Sequence, residues 1–195
     1  MNTTALKWIG QSFAALAGAA LLSACVDNAP VGPNRGLAFW AQGSASESRI
    51  ADLSACPDLK APANTKLAFH VYAQGVQIYR WTGASWSFVG PSAVLSADAD
   101  GKSTVGTHYA GPTWESNSGG TVVGAVQKRC TPDAGSIPWL LLGAVSTDGP
   151  GVFRRVTQIQ RVNTVGGNAP ANPGSVTGEE ARVPYTAEYF FYREQ

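Results

Sequence analysis

From Cys56 onward the hydrophobic positions recur every second residue, the period of β-structure. Leu67, Phe69, Val71 and Ala73 alternate with Ala68, His70 and Tyr72, which predicts a strand, and Gln74-Gly75 reads as a break before a second strand over 76–81. Thr82-Gly83-Ala84-Ser85 then predicts a hairpin turn into Trp86, Ser87, Phe88 and Val89. A short apolar run, Ala93 to Leu95, precedes a turn at Asp98-Ala99-Asp100-Gly101, and the β-branched stretch 121–126 predicts a further strand. The near-continuous apolar run 139–145 fits a strand buried on both faces or a buried helical turn, and 152–164 reads as a longer strand. At the end of the chain Val183, Tyr185, Ala187, Tyr189 and Phe191 fall on one face, with Thr186, Glu188, Phe190 and Tyr192 on the other. No window of helical length carries a clean 3.6 period with caps. The predicted class is all-β, a single antiparallel sandwich or barrel with long loops, over 56–195.

The N-terminal pattern is different. Residues 1–24 carry one charged side chain, Lys7, then a mostly apolar stretch from Trp8 to Leu22 interrupted by Gln11 and Ser12. A positive start, a short apolar middle and small residues before a cut predict a secretory signal, too short for a good membrane span. Leu22-Ser23-Ala24-Cys25 resembles the bacterial lipobox, which implies that Cys25 is acylated and becomes the first mature residue. The expected partner is therefore the membrane, reached through a lipid anchor at Cys25. Similarity to enterobacterial lipoproteins makes Val26, in the position after the cysteine, a pointer to the outer membrane. Residues 25–55, rich in Gly, Ser, Ala, Asn and Pro, read as a tether with one apolar knot at Leu37 to Trp40.

Composition narrows the function classes. The 195 residues carry 14 Lys plus Arg against 13 Asp plus Glu, scattered rather than clustered, so the chain lacks the basic stripe that nucleic-acid binding requires. Only 14% of residues are charged, while 22 Gly and 12 Pro accord with short strands and many turns. With Cys25 taken by lipid, Cys56 and Cys130 remain in an oxidising compartment, either bridged or as two free thiols. A bridge would be worth about 4 kcal/mol on the chain-entropy account.

Several segments taken in order, Gly75-Val-Gln-Ile-Tyr79, Gly106-Thr-His-Tyr-Ala-Gly-Pro-Thr-Trp114, Ile137-Pro-Trp-Leu-Leu-Leu142, Ile159-Gln-Arg-Val-Asn-Thr-Val-Gly-Gly167 and Val183-Pro-Tyr-Thr-Ala-Glu-Tyr189, resemble a secreted domain-of-unknown-function family of bacteria and fungi, the one numbered 3455. The resemblance spans about 59–192 and implies an extracytoplasmic single domain with no established activity. Many members of that family carry cysteines where this chain has Trp81 and, nearby in the later segment, Asn172. Both are absent here, as a jointly lost disulfide would be. A malate dehydrogenase label attached to some fungal members does not suit this chain, which has no G-x-G-x-x-G between a strand and a helix.

Familiar catalytic and ligand motifs are missing. Gly101-Lys102-Ser103 lacks the first glycine of a phosphate loop, Ser96 standing in its place, and the calcium-loop start at Asp98 and Asp100 is spoiled by Lys102 and Tyr109 at ligand positions. Two histidines exclude a three-His metal centre, and neither a metal nor another cofactor is expected. The best chemical cluster is His108 with Tyr109, Thr113, Trp114 and Glu115. His108 and Glu115 could act as an acid–base pair, while Tyr109 and Trp114 could bind a glycan or other small molecule. Packing of Trp114 in the core, with His108 bonded to a loop, is the competing expectation. Arg161 and Asn163, placed on one strand face by alternation, form a second set of donors for a carboxylate or sugar, unless Arg161 pairs with Glu115 or Glu188. The two functional expectations are a binding or structural module of the cell envelope and, as the alternative, an extracytoplasmic enzyme using His108 and Glu115.

Overall fold

The computed structural model describes residues 50–195; the expected leader, Cys25 and the tether as far as residue 49 lie outside the described residues. Eight antiparallel strands follow one another around a closed ring: β1 (Thr65–Trp81), β2 (Trp86–Ser96), β3 (Thr104–Tyr109), β4 (Thr113–Ser116), β5 (Thr121–Cys130), β6 (Trp139–Asp148), β7 (Val156–Gly166) and β8 (Glu180–Glu194). Each pairs with the next, and β8 returns to pair with β1 from Thr65–Glu194 to Arg80–Glu180. Closure leaves no long open edge, and of the two expected architectures the chain adopts the barrel. The ring is uneven. β1 has 17 residues and β4 only four, and β6 meets β7 only from Leu140–Arg161 to Gly143–Gln158.

One expected break is absent. Gln74-Gly75 lies inside β1, where a Cβ on Gly75 would sit 2.2 Å from the Ser92 carbonyl oxygen; the glycine lets β2 approach closely and does not end the strand. The segments 86–89 and 93–95 belong to one strand, β2, with Gly90-Pro91 inside it and Pro91 in register with Gln77. The turn at Thr82–Ser85 forms as expected, closed by the Thr82 N–H donating to the Ser85 carbonyl at 2.9 Å. The long strand expected from residue 152 begins only at Val156, since 152–155 turn and drop Phe153 into the core. The unassigned stretch around His108 is the β3–β4 hairpin, its turn carried by Gly111 at φ 97°.

The main core is the barrel interior. Phe191 stacks on Phe69 with centroids 4.6 Å apart, Phe153 and Trp114 approach it from other sides, and Leu142, Val122 and Ile159 complete the apolar layer. Because β8 is apolar on both faces it serves two cores: Phe190 and Tyr192 point outward against Ala51 and Val162. β6 behaves likewise, Leu140 and Leu142 facing in and Leu141 facing out onto Cys56 and Leu59. The covering strap includes a single 3-10 turn, Pro57–Leu59, and is joined to the end of β5 by the Cys56–Cys130 disulfide. Gln160 supports it from below, donating from Nε2 to the Leu59 carbonyl at 2.7 Å while accepting from the Tyr192 hydroxyl.

Candidate functional site

At one end the interior widens into a cavity of about 510 Å³. Alternation along β1 sends Gln77 and Tyr79 into it, and the β3–β4 register sets His108 directly across from Trp114. Their rings stack at 4.3 Å and 9°, and Tyr189 of β8 meets both edge-on at 5.1 and 5.3 Å. Arg161, in register with Tyr189, completes the polar side; Leu140, Leu142 and Pro91 form apolar wall, and Phe88, Val89 and Val126 make a partly exposed rim.

Hydrogen-bond accounting in this cavity is lopsided. His108 Nδ1 donates to the Thr113 carbonyl at 2.8 Å, and the Tyr79 hydroxyl donates to Gly167 at 2.7 Å. The Arg161 guanidinium gives Nε and Nη2 to the Pro138 carbonyl, at 3.1 and 2.8 Å, which leaves three of its five N–H groups. Gln77 Nε2, Trp114 Nε1 and the hydroxyls of Tyr185 and Tyr189 have no partner at bonding geometry among the described residues. Tyr185 makes polar contacts with Tyr189 and Gln77, and Tyr189 with Arg161, close enough to shift the phenols, but at the phenol hydroxyls and Gln77 Nε2 none reaches hydrogen-bond geometry. Gln77, Trp114, Tyr185 and Tyr189 are each at most 2% exposed. An orphaned buried polar group costs about 1–3 kcal/mol, so such a concentration demands a reason.

The protonation states point one way. Burial pushes the Tyr185 and Tyr189 phenols up, outweighing the opposing pull of Arg161, so both hydroxyls keep their protons. Burial also lowers His108 from 6.5 to about 3, against the favourable bond to Thr113 and reinforced by Arg161. His108 is therefore neutral, with Nδ1 protonated and Nε2 carrying a lone pair. The unfolded chain takes a proton on this histidine near pH 6.5 and the folded one does not until about pH 3, so stability is lost as pH falls through that window. Between pH 7 and pH 5 the expected contribution is a loss of about 2 kcal/mol. Proton-detected titration should find the His108 ring resonances unmoved down to pH 4; a midpoint near 6 would show the ring to be solvated.

Of the residues expected from sequence, His108, Trp114 and Arg161 reach the cavity, and Glu115, Tyr109 and Asn163 do not. His108 and Glu115 do not form an acid–base pair. Neighbouring positions on β4 point to opposite faces, so Trp114 is buried while Glu115 is exposed and accepts from the Tyr109 hydroxyl at 2.9 Å. Arg161 and Asn163 do not share a face either. The β7–β8 register slips between Val162 and Val165, and Asn163 takes φ 51°, which turns it outward to donate to Glu188 at 3.0 Å. Glu188 also holds His70 Nε2 at 2.8 Å, and no ion pair of Arg161 with Glu115 or Glu188 occurs among the described residues. Gln77, Tyr185 and Tyr189 are members of the cluster that sequence reasoning missed. Alternation placed the two tyrosines on one face, but nothing local tells a phenol with a partner from one without.

Trp81 and Trp86, a pair that could have made a flat sugar platform, lie at 59° to each other. Trp86 donates its indole N–H to the Asn172 carbonyl at 2.9 Å, and a Cβ on Gly174 would sit 2.6 Å from the Trp81 ring. The two positions where the resemblance places cysteines are thus held together by tryptophan packing. A family model described as a protein of unknown function, DUF3455, matches residues 62–193. Neither a curated protein nor a solved structure matches the chain.

Proposed function

Since the chain belongs to the DUF3455 family, whose description names no activity, we propose from its own geometry that the protein is a small-molecule-binding module and that the barrel mouth is its site. One observation carries this reading: three buried polar groups without partners, on Gln77, Trp114 and Tyr189, converge with the half-used Arg161 guanidinium on a cavity of about 510 Å³, a size suited to a small ligand. A ligand that supplies the missing partners would repay the desolvation of those groups, whereas an empty structural core would be better filled by apolar side chains. The acid–base alternative has no comparable support, because Glu115 faces away from His108.

The setting we propose is the cell envelope, with the barrel held to a membrane by lipid on Cys25. The support is the Leu22-Ser23-Ala24-Cys25 segment behind an apolar leader. Changing Cys25 to Ser should release the protein from the membrane fraction of its host; continued sedimentation with membranes would refute the anchor.

Binding is tested by thermal shift of the purified protein against a panel of organic acids, sugars and amino acids, together with Val126→Trp. Val126 is on the rim and 42% exposed, so the larger ring should block the mouth without disturbing the core. A compound present at about a hundred times its Kd should stabilise the native protein by about 2.7 kcal/mol and leave Val126→Trp unshifted. A compound that shifts both equally binds elsewhere.

A further inference from the structure

Resting on that reading, we infer that the ligand is a monoanion, a small carboxylic acid with an apolar body, whose carboxylate docks on Arg161 beneath the Trp114 and Tyr189 donors. The first argument is charge. Arg161 and Arg129 line the cavity, and no Asp or Glu does. Arg161 is the inner of the two, bonded through Nε and Nη2 to a neutral carbonyl, and it has no carboxylate partner among the described residues. A guanidinium held in a partly desolvated pocket without a counter-charge favours an anion there.

The second argument is the sign of the hydrogen-bonding deficit. The unused groups of the lining are donors, or can donate: Trp114 Nε1–H donates only, Gln77 Nε2 offers two N–H, and the Tyr189 phenol retains its proton. Facing them, His108 Nε2 is the one nitrogen of the wall free to accept, because Nδ1 is committed to Thr113. Excess donors around a cation call for a ligand rich in acceptor oxygens, and a carboxylate has about four lone-pair sites. One inner guanidinium neutralises one charge, so a phosphate dianion would carry an unbalanced charge into an otherwise apolar wall of Leu140, Leu142 and Pro91. Those same walls and the Phe88 rim suit an apolar body behind the carboxylate.

The test uses three probes of one shape on the purified protein: phenylacetate, its neutral amide phenylacetamide and the dianion phenyl phosphate, measured by calorimetry at pH 7. Phenylacetate should bind one to one, at least about tenfold tighter than either competitor, a ratio expected for a charge-assisted bond. Arg161→Gln should weaken phenylacetate by about ten- to a hundredfold and leave phenylacetamide unchanged. If Arg161→Gln does not fold, Arg161→Lys serves instead: it keeps the charge but loses the fork, and should retain the preference for acid over amide with weaker binding. Equal binding of acid and amide would overturn the anion assignment while leaving the binding site standing. Tighter binding of phenyl phosphate would overturn the single-charge argument alone. Failure of all three probes to bind the folded protein would overturn both this inference and the binding reading beneath it.

Discussion

Phe191→Ala is expected to destabilise the protein by about 3–5 kcal/mol, the range for removing a fully buried aromatic side chain. Phe191 is 0% exposed and stands at the centre of the interior, stacked on Phe69 and flanked by Phe153 at 5.1 Å and Trp114 at 5.9 Å. A ring of strands hydrogen-bonded all the way round cannot close in on the void as two sliding layers can, which argues for the upper part of the range. The loss should reach the site as well. Trp114 rests on Phe191 from below and carries His108 above, so tilting it displaces the stacked pair that walls the cavity. Chemical denaturation measures the first effect and phenylacetate calorimetry the second. A stability loss under about 1 kcal/mol would mean that the interior can repack and that Phe191 is not the keystone described here.

Removing the disulfide as Cys56→Ala with Cys130→Ala should cost about 4 kcal/mol, because the bridge joins residues 74 apart and restricts the unfolded chain accordingly. For a body of this size that corresponds to a fall in Tm of roughly 8–16 °C by calorimetry. The physical consequence is local before it is global. The bridge ties the 3-10 turn and the strap around it to the end of β5, while Leu59 and Leu141 contribute only a small apolar contact of their own. Without the bridge the Gln160–Leu59 bond should open more often, which amide exchange at Gln160 and neighbouring β7 positions would detect. If the double variant melted with the parent, the strap would be held by packing alone.

The expected pH response of His108 and the expected discrimination between acid and amide share one cause, the exclusion of water from the barrel mouth. The first concerns the empty protein and the second its complex. Agreement between them would tie the orphaned donors to recognition; a His108 that titrated normally would indicate a wet mouth, where donors are satisfied by solvent and a lone guanidinium favours anions much less.

Local sequence determined the class of fold, because strand periodicity is a property of neighbouring residues: β1, β5, β6 and β8 can be read from alternating or continuous apolar runs, as can the Thr82–Ser85 turn. It also supplied His108, Trp114 and Arg161 as chemistry-bearing positions. It misjudged Gly75, since a glycine that permits two strands to approach has the same letter as one that ends a strand. The bulge after Val162, which separates Asn163 from Arg161, depends on how β7 meets β8 and leaves no local mark. Ring closure decided the rest. Only when β8 returns to β1 do Tyr189 and Gln77 meet the β3–β4 hairpin from far along the chain, and only then does burial strip Trp114, Tyr185 and Tyr189 of partners. Which way a side chain points is written in short-range pattern; whether its polar atom is satisfied depends on everything that surrounds it, and that belongs to the tertiary structure.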